Sequence, residues 1–168
     1  AGRFPIKRTI GEQVVVEADI FTDGHDLLSA VLIHRWIHDS VWMEVAMAPL
    51  GNDRWQGRFS VSQLGRYAYR IQAWVDHFVT WYEALRKRVE VGQEVQVELL
   101  IGAELIEAAS QHATSTDAAT LQERARRLRM PLESSSLTRA RLFLEDETLR
   151  RLMALYPDRR FATASPGE

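Results

Sequence analysis

The chain is expected to be α+β by composition, an antiparallel β-sandwich followed by a small helical bundle, and three observations lead there. All five tryptophans (Trp36, Trp42, Trp55, Trp74, Trp81) precede residue 82, with most of the phenylalanines and tyrosines. The second half is instead rich in Ala, Leu, Glu and Arg. Aromatic and β-branched residues favour strands, and those four favour helices. The hydrophobic period also changes along the chain, from two to the helical spacing.

The strands come first. Val14-Val15-Val16-Glu17-Ala18-Asp19-Ile20-Phe21 is closed by the turn-forming pair Asp23-Gly24. Ala30 to Trp36 and Val41 to Met47 follow, and Pro49 to Asp53 supplies turn residues before the run Trp55 to Val61. The clearest signal is Gly65 to Trp74, where Tyr67, Tyr69, Ile71 and Ala73 alternate with polar residues. Several short strands with turns between them make a sandwich. The Leu64-Gly65-Arg66-Tyr67-Ala68-Tyr69 entry resembles the penultimate strand of immunoglobulin-like sandwiches.

From Trp81 onward the spacing becomes helical. Val95, Leu99, Leu105, Ile106 and Ala109 mark one face, with Gly102 as a weak point. Asp117 is the expected N-cap of a helix carrying Ala118, Leu121, Ala125 and Leu128 and stopped by Pro131. A turn at Ser134 to Ser136 leads to Leu149, Leu152, Met153 and Tyr156, an i, i+3, i+4, i+7 stripe ended by Pro157. The expected division is a sandwich over residues 1–91, a helical bundle over 92–160 and a return segment over 161–168.

Composition sets further bounds. At 168 residues the chain holds one substantial core or two small ones. A net charge of −2 gives no global attraction to nucleic acid or an anionic membrane, and neither partner is expected. With no cysteine, disulfides and thiolate chemistry are excluded, which suits a cytoplasmic setting. Phe4-Pro5-Ile6-Lys7-Arg8 has no apolar stretch behind it to make a signal peptide.

Residues able to do chemistry have ordinary structural readings. His34, His38 and Asp39 lack a third metal ligand at suitable spacing, and His25 and His112 lack partners. Asp19 with Asp23 straddles a strand end, and Glu145-Asp146-Glu147 reads as the charged opening turn of a helix. Arg124, Arg126, Arg127 and Arg129 spread around Leu128 as a solvated face. No phosphate-binding glycine loop or nucleophile elbow occurs. No cofactor or metal is expected, and no catalytic residue is assigned. The tryptophans are the ambiguous group. Exposed indoles stack on sugar rings, buried ones fill cores, and Trp36 and Trp81 are the candidates for exposure and for carbohydrate or interdomain contact.

A family resemblance runs through the whole chain. Gly2-Arg3-Phe4-Pro5-Ile6-Lys7-Arg8, Val16 to Phe21 with Asp23-Gly24-His25-Asp26, Leu50-Gly51-Asn52-Asp53-Arg54-Trp55, Leu64 to Tyr67, Ala73-Trp74-Val75-Asp76 with Phe78 and Thr80-Trp81, and Pro157 to Thr163 follow in order. In these motifs the chain resembles the N-terminal region of the bacterial α-1,4-glucan:maltose-1-phosphate maltosyltransferases, large enzymes of the α-amylase superfamily (glycoside hydrolase family thirteen). The resemblance implies a parent enzyme that transfers maltosyl units from α-maltose 1-phosphate to an α-1,4-glucan by retaining double displacement, with an Asp nucleophile and a Glu acid/base on a (β/α)₈ barrel of about 250 residues. No such barrel fits in this chain. The resemblance further implies a helical bundle inserted in the sandwich, a role in the homodimer interface beside the catalytic barrel, and a last strand beginning near Glu168. The sandwich is therefore expected to lack that strand and to offer an open edge to another copy. The sequence thus points to an accessory and dimerisation region. Its rivals are a stand-alone carbohydrate-binding module that recognises α-glucan through exposed tryptophan and, far behind, an independent glycosidase.

Overall fold

The computed structural model describes residues 6–130 and 135–166. The chain divides into two compact units: residues 1–75 with 160–168, and Asp76–Arg159.

Among the described residues the first unit holds two antiparallel sheets. One has the order β1-β5-β4, from β1 (Gln13–Asp19), β4 (Ala48–Gly51) and β5 (Arg54–Ser60). The other has the order β3-β2-β6-β7, from β2 (Leu28–Trp36), β3 (Met43–Ala46), β6 (Tyr67–Val75) and β7 (Thr163–Ala164). Alternation decides which side chains enter the core. Val14 and Val16 of β1 and Phe59 of β5 meet Ala30 and Leu32 of β2 in one cluster, which Tyr67, Tyr69, Ile71 and Ala73 of β6 line. The period-two signal in β6 therefore marks an inward face. A Cβ at Gly57 would sit 2.9 Å from that of Leu32, so glycine lets the sheets approach there. Val31 and Ile33 of β2, which point the other way, pack with Trp74, Trp42 and Ala162.

Residues 49–53, read as turn, are shorter as a turn than expected. Ala48–Gly51 is strand, paired antiparallel to β5, and Asn52 and Asp53 at φ 49° and 60° make the hairpin turn. The expected loss of the last strand also needs correction. Thr163 and Ala164 pair antiparallel with Ala73 and Gln72, and Ser165 exchanges bonds with the backbone of Ile71 (2.8 and 2.9 Å).

Among the described residues the second unit holds five helices: α1 (His77–Glu90), α2 (Gln96–Ser110), α3 (Ser115–Arg129), α4 (Ser136–Leu144) and α5 (Glu147–Leu155). The boundary expected after residue 91 falls instead after Val75. Asp76 opens α1 by accepting from the Val79 N–H at 2.9 Å, and Phe78, Trp81, Leu85 and Val89 form its buried face. Those aromatics resemble strand by composition, but their spacing of three and four is helical. The face predicted for α2 is as read: Val95, Leu99, Ile106 and Ala109 are buried and Leu105 partly so. Thr114, not Asp117, is the N-cap of α3; Asp117 lies in the first turn and accepts from the Tyr156 hydroxyl at 2.7 Å. Pro131 and Ser134 lie outside the described residues. Ser135 caps α4, a helix that was not expected, by accepting from Thr138. Leu149, Leu152 and Met153 of α5 are buried as the stripe required. Among the described residues no helix is long and apolar enough to cross a membrane.

Candidate interaction surfaces

The two candidate tryptophans part company. Trp81 is 7% exposed and belongs to the core of the helical unit, which overturns its reading as a contact residue. Its indole N–H donates to the Glu98 carbonyl at 2.7 Å, and its ring lies where a side chain at position 102 would go. A Cβ built on Gly102 would be 2.0 Å from Cζ2 of the ring. The supposed weak point of α2 is thus a seat for an indole.

Trp36 ends β2 half-buried. Its N–H donates to the Leu64 carbonyl at 3.1 Å, across Gly65 at φ 132°, and His38 stands edge-on 4.5 Å from the ring. Only its apolar surface is left for a ligand. Nearby, the Tyr67 hydroxyl accepts from the backbone N–H groups of Ser62 and Gln63, each at 3.1 Å. Burial raises the phenol's pKa, but hydrogen bonds from Ser62 and Gln63 together outweigh it and the net shift is downward.

His34 and His38 have separate ring neighbours. His34 stacks on Phe59, centroids 4.2 Å apart and planes 10° from parallel, whereas His38 sits by Trp36. Among the described residues no group of three potential metal ligands occurs. Burial lowers the pKa of His34. The folded state then resists a proton that the unfolded chain accepts, so the contribution is nil above the unfolded value of about 6.5 and grows as a penalty below it. Denaturant titrations should show the sandwich losing stability from pH 7 to pH 5. His34→Phe should flatten that slope; an equally steep slope in the variant would assign the loss elsewhere.

The carboxylates are structural. Asp19 faces Arg54 at 3.7 Å. Asp146 accepts from the Leu149 N–H with one oxygen (2.9 Å) and pairs with Arg124 through the other (2.6 Å), both side chains mostly buried. That double duty predicts a cost of about 2–3 kcal/mol for Asp146→Ala in urea unfolding, from a lost cap and a stranded guanidinium. Each arginine of this row on α3 has a carboxylate partner: Arg126 and Arg127 share Glu123, and Arg129 pairs with Glu107. The hydrogen bonds and charge of Arg129 and Arg127 hold Glu107 and Glu123 below the usual carboxylate range. An anion finds no free row there.

A surface that sequence reasoning missed lies on α2. Val97, Leu100 and Ile101 are 64%, 42% and 46% exposed on the face opposite the core. Spacing of three and four puts them side by side. The signal was present: α2 is apolar nearly all round, and a helix of that kind is usually covered on every side.

Comparison with known proteins places the chain. The family described as α-1,4-glucan:maltose-1-phosphate maltosyltransferase, domain N/S, matches residues 1–167. The maltosyltransferase of that name from Chlorobaculum tepidum is 46% identical over 120 residues, 71% of this chain and 18% of its own length. That of Myxococcus xanthus is 45% identical over 139 residues, 78% of this chain and 21% of its own. That of Rhodospirillum rubrum is 37% identical over an alignment covering 98% of this chain and 25% of its own. The chain therefore spans between a fifth and a quarter, or slightly less, of these relatives. It belongs to the N/S-domain family of the α-1,4-glucan:maltose-1-phosphate maltosyltransferases.

Proposed function

We propose that this chain is a non-catalytic accessory and dimerisation region of an α-glucan maltosyltransferase, a cytoplasmic enzyme that extends α-1,4-glucans from α-maltose 1-phosphate. The exposed stripe Val97, Leu100 and Ile101 carries the proposal. Covering each such side chain is worth about 1.5–3 kcal/mol at full burial, enough to drive association when several are covered together. The chemistry is assigned to the portion of the relatives with which this chain does not align, a (β/α)₈ barrel. The partners are that barrel and a second copy.

The strand orders support reading the sandwich as immunoglobulin-like. β1-β5-β4 facing β3-β2-β6-β7 corresponds to B-E-D facing C′-C-F-G, with the helical unit between F and G. The Tyr67 hydroxyl bonded to backbone upstream matches the tyrosine corner of that class.

Sedimentation equilibrium tests the association. The chain should form a dimer, and Val97→Lys with Ile101→Lys should give a folded monomer; a monomeric parent chain, or a dimer indifferent to the pair, would refute the role of α2. The carbohydrate-binding reading now rests on Trp36. Saturable quenching of indole fluorescence by maltooligosaccharides, abolished by Trp36→Ala, would favour it over association.

A further inference from the structure

The outer face of β2 and β6 carries an arrangement the association reading does not use. Val31, Ile33 and Trp74 are buried there, against Trp42 and Ala162. Two arginines rise from this apolar floor. Arg70 is in register with Ile33, and Arg35 with Ala68, so they are diagonal neighbours on one face. Both guanidinium groups converge on one ring: their carbons lie 4.6 Å (Arg35) and 5.2 Å (Arg70) from the Trp42 centroid.

Two cations side by side repel, and such pairs normally carry a carboxylate between them. Among the described residues neither forms an ion pair; every arginine of α3 does. Of the acidic residues nearest in the chain and the register, Asp39 meets Arg35 through its backbone carbonyl, an acceptor at 3.0 Å, and Glu44, in register with Ile33, shares this face on the other side of β2 from Arg70. The indole supplies quadrupole attraction to the guanidinium groups without neutralising them. Their N–H donors are thus held in place with charge left over. An apolar floor strengthens charge-assisted bonds formed above it, and a guanidinium fork matches the oxygens of a phosphate.

We propose that Arg35, Arg70 and Trp42 form an oxyanion site that takes a phosphate group, either free or as a small phosphate monoester. The two guanidinium groups share the anion's oxygens, and Trp42 fixes their planes. The site stands on its own observations and does not depend on whether α2 mediates association.

The test is a titration of the ¹⁵N-labelled full chain with inorganic phosphate at constant ionic strength, chloride being replaced. The indole N–H of Trp42, assigned through Trp42→Phe, should shift saturably with a Kd of about 1–10 mM, and that of Trp36 should stay still. Arg70→Gln, at an exposed position that leaves the fold intact, should weaken binding at least about fivefold, and Arg70→Lys less, because charge is kept and the fork lost. A parallel titration with glycerol phosphate separates the sources: tighter binding than inorganic phosphate marks a monoester site, equal binding a site for the free anion. A linear, unsaturating shift, or a Kd unchanged in Arg70→Gln, would overturn the proposal.

Discussion

Gly102→Val should destabilise the helical unit by about 3–5 kcal/mol, at the upper end for a single substitution. The indole of Trp81 occupies the space above Gly102, and even one methyl group would be 2.0 Å from Cζ2. The ring cannot simply slide away, because its N–H is held by the Glu98 carbonyl at 2.7 Å. That carbonyl is also the i−4 acceptor for the Gly102 N–H, so one oxygen fixes both indole and helix backbone. Alanine at 102 recovers about 1 kcal/mol of helix propensity, and its net cost should be nearer 2 kcal/mol. Shrinking the ring reverses the sign. Trp81→Leu alone costs about 3 kcal/mol through its cavity, but in that background Gly102→Ala should be neutral or stabilising. Urea unfolding of the four chains gives the coupling, and additive losses would show that the contact does not govern the packing.

Arg139→Ala should cost about 3–4 kcal/mol, and Arg139→Met about 2 kcal/mol. The residue is 6% exposed on α4. Its guanidinium donates to the carbonyls of Leu128 (3.3 Å) and Met130 (2.7 Å) at the end of α3, and to Gln96 Oε1 at the start of α2. The last carbonyls of a helix lack intrahelical donors and carry its negative pole, so a buried cation there serves as cap and counter-charge. Methionine keeps the stem's packing and loses only the donors. The difference between the two variants therefore separates hydrophobic from polar contributions. Equal stability of Arg139→Met and the parent chain would mean that water or neighbouring backbone satisfies those carbonyls.

How far the sequence reaches depends on how each residue is satisfied. β1, β2, β5 and β6 are readable because one face is buried and alternation follows. β4 is not, because Pro49 and Gly51 belong equally to a turn and to a short edge strand. α1 is hidden by Phe78, Trp81 and Tyr82, whose identities favour sheet although their spacing is helical. α4 escapes because Arg139 breaks its apolar stripe while being buried. The reading of Trp81 fails for a related reason: the requirement that buries it sits on another helix, as an absent side chain at Gly102. The α2 surface is unreadable from pattern alone, since an apolar ring does not reveal which arc faces inward until its neighbours are placed. Trp36 is half-buried, and its engaged N–H depends on Leu64, twenty-eight positions away.

The pairing of β6 with β7 has a kinetic side. Its partners are about 90 positions apart, and closing a flexible loop of that length costs about 2 kcal/mol more than closing one of ten residues. Two paired positions and the bonds of Ser165 give little to set against that. A folded helical unit removes most of the tether's freedom in advance. The expected order is then helices first, closing strand last. Weakening Gly102 or Arg139 should accordingly raise amide exchange at Thr163–Ser165, far from either substitution in sequence.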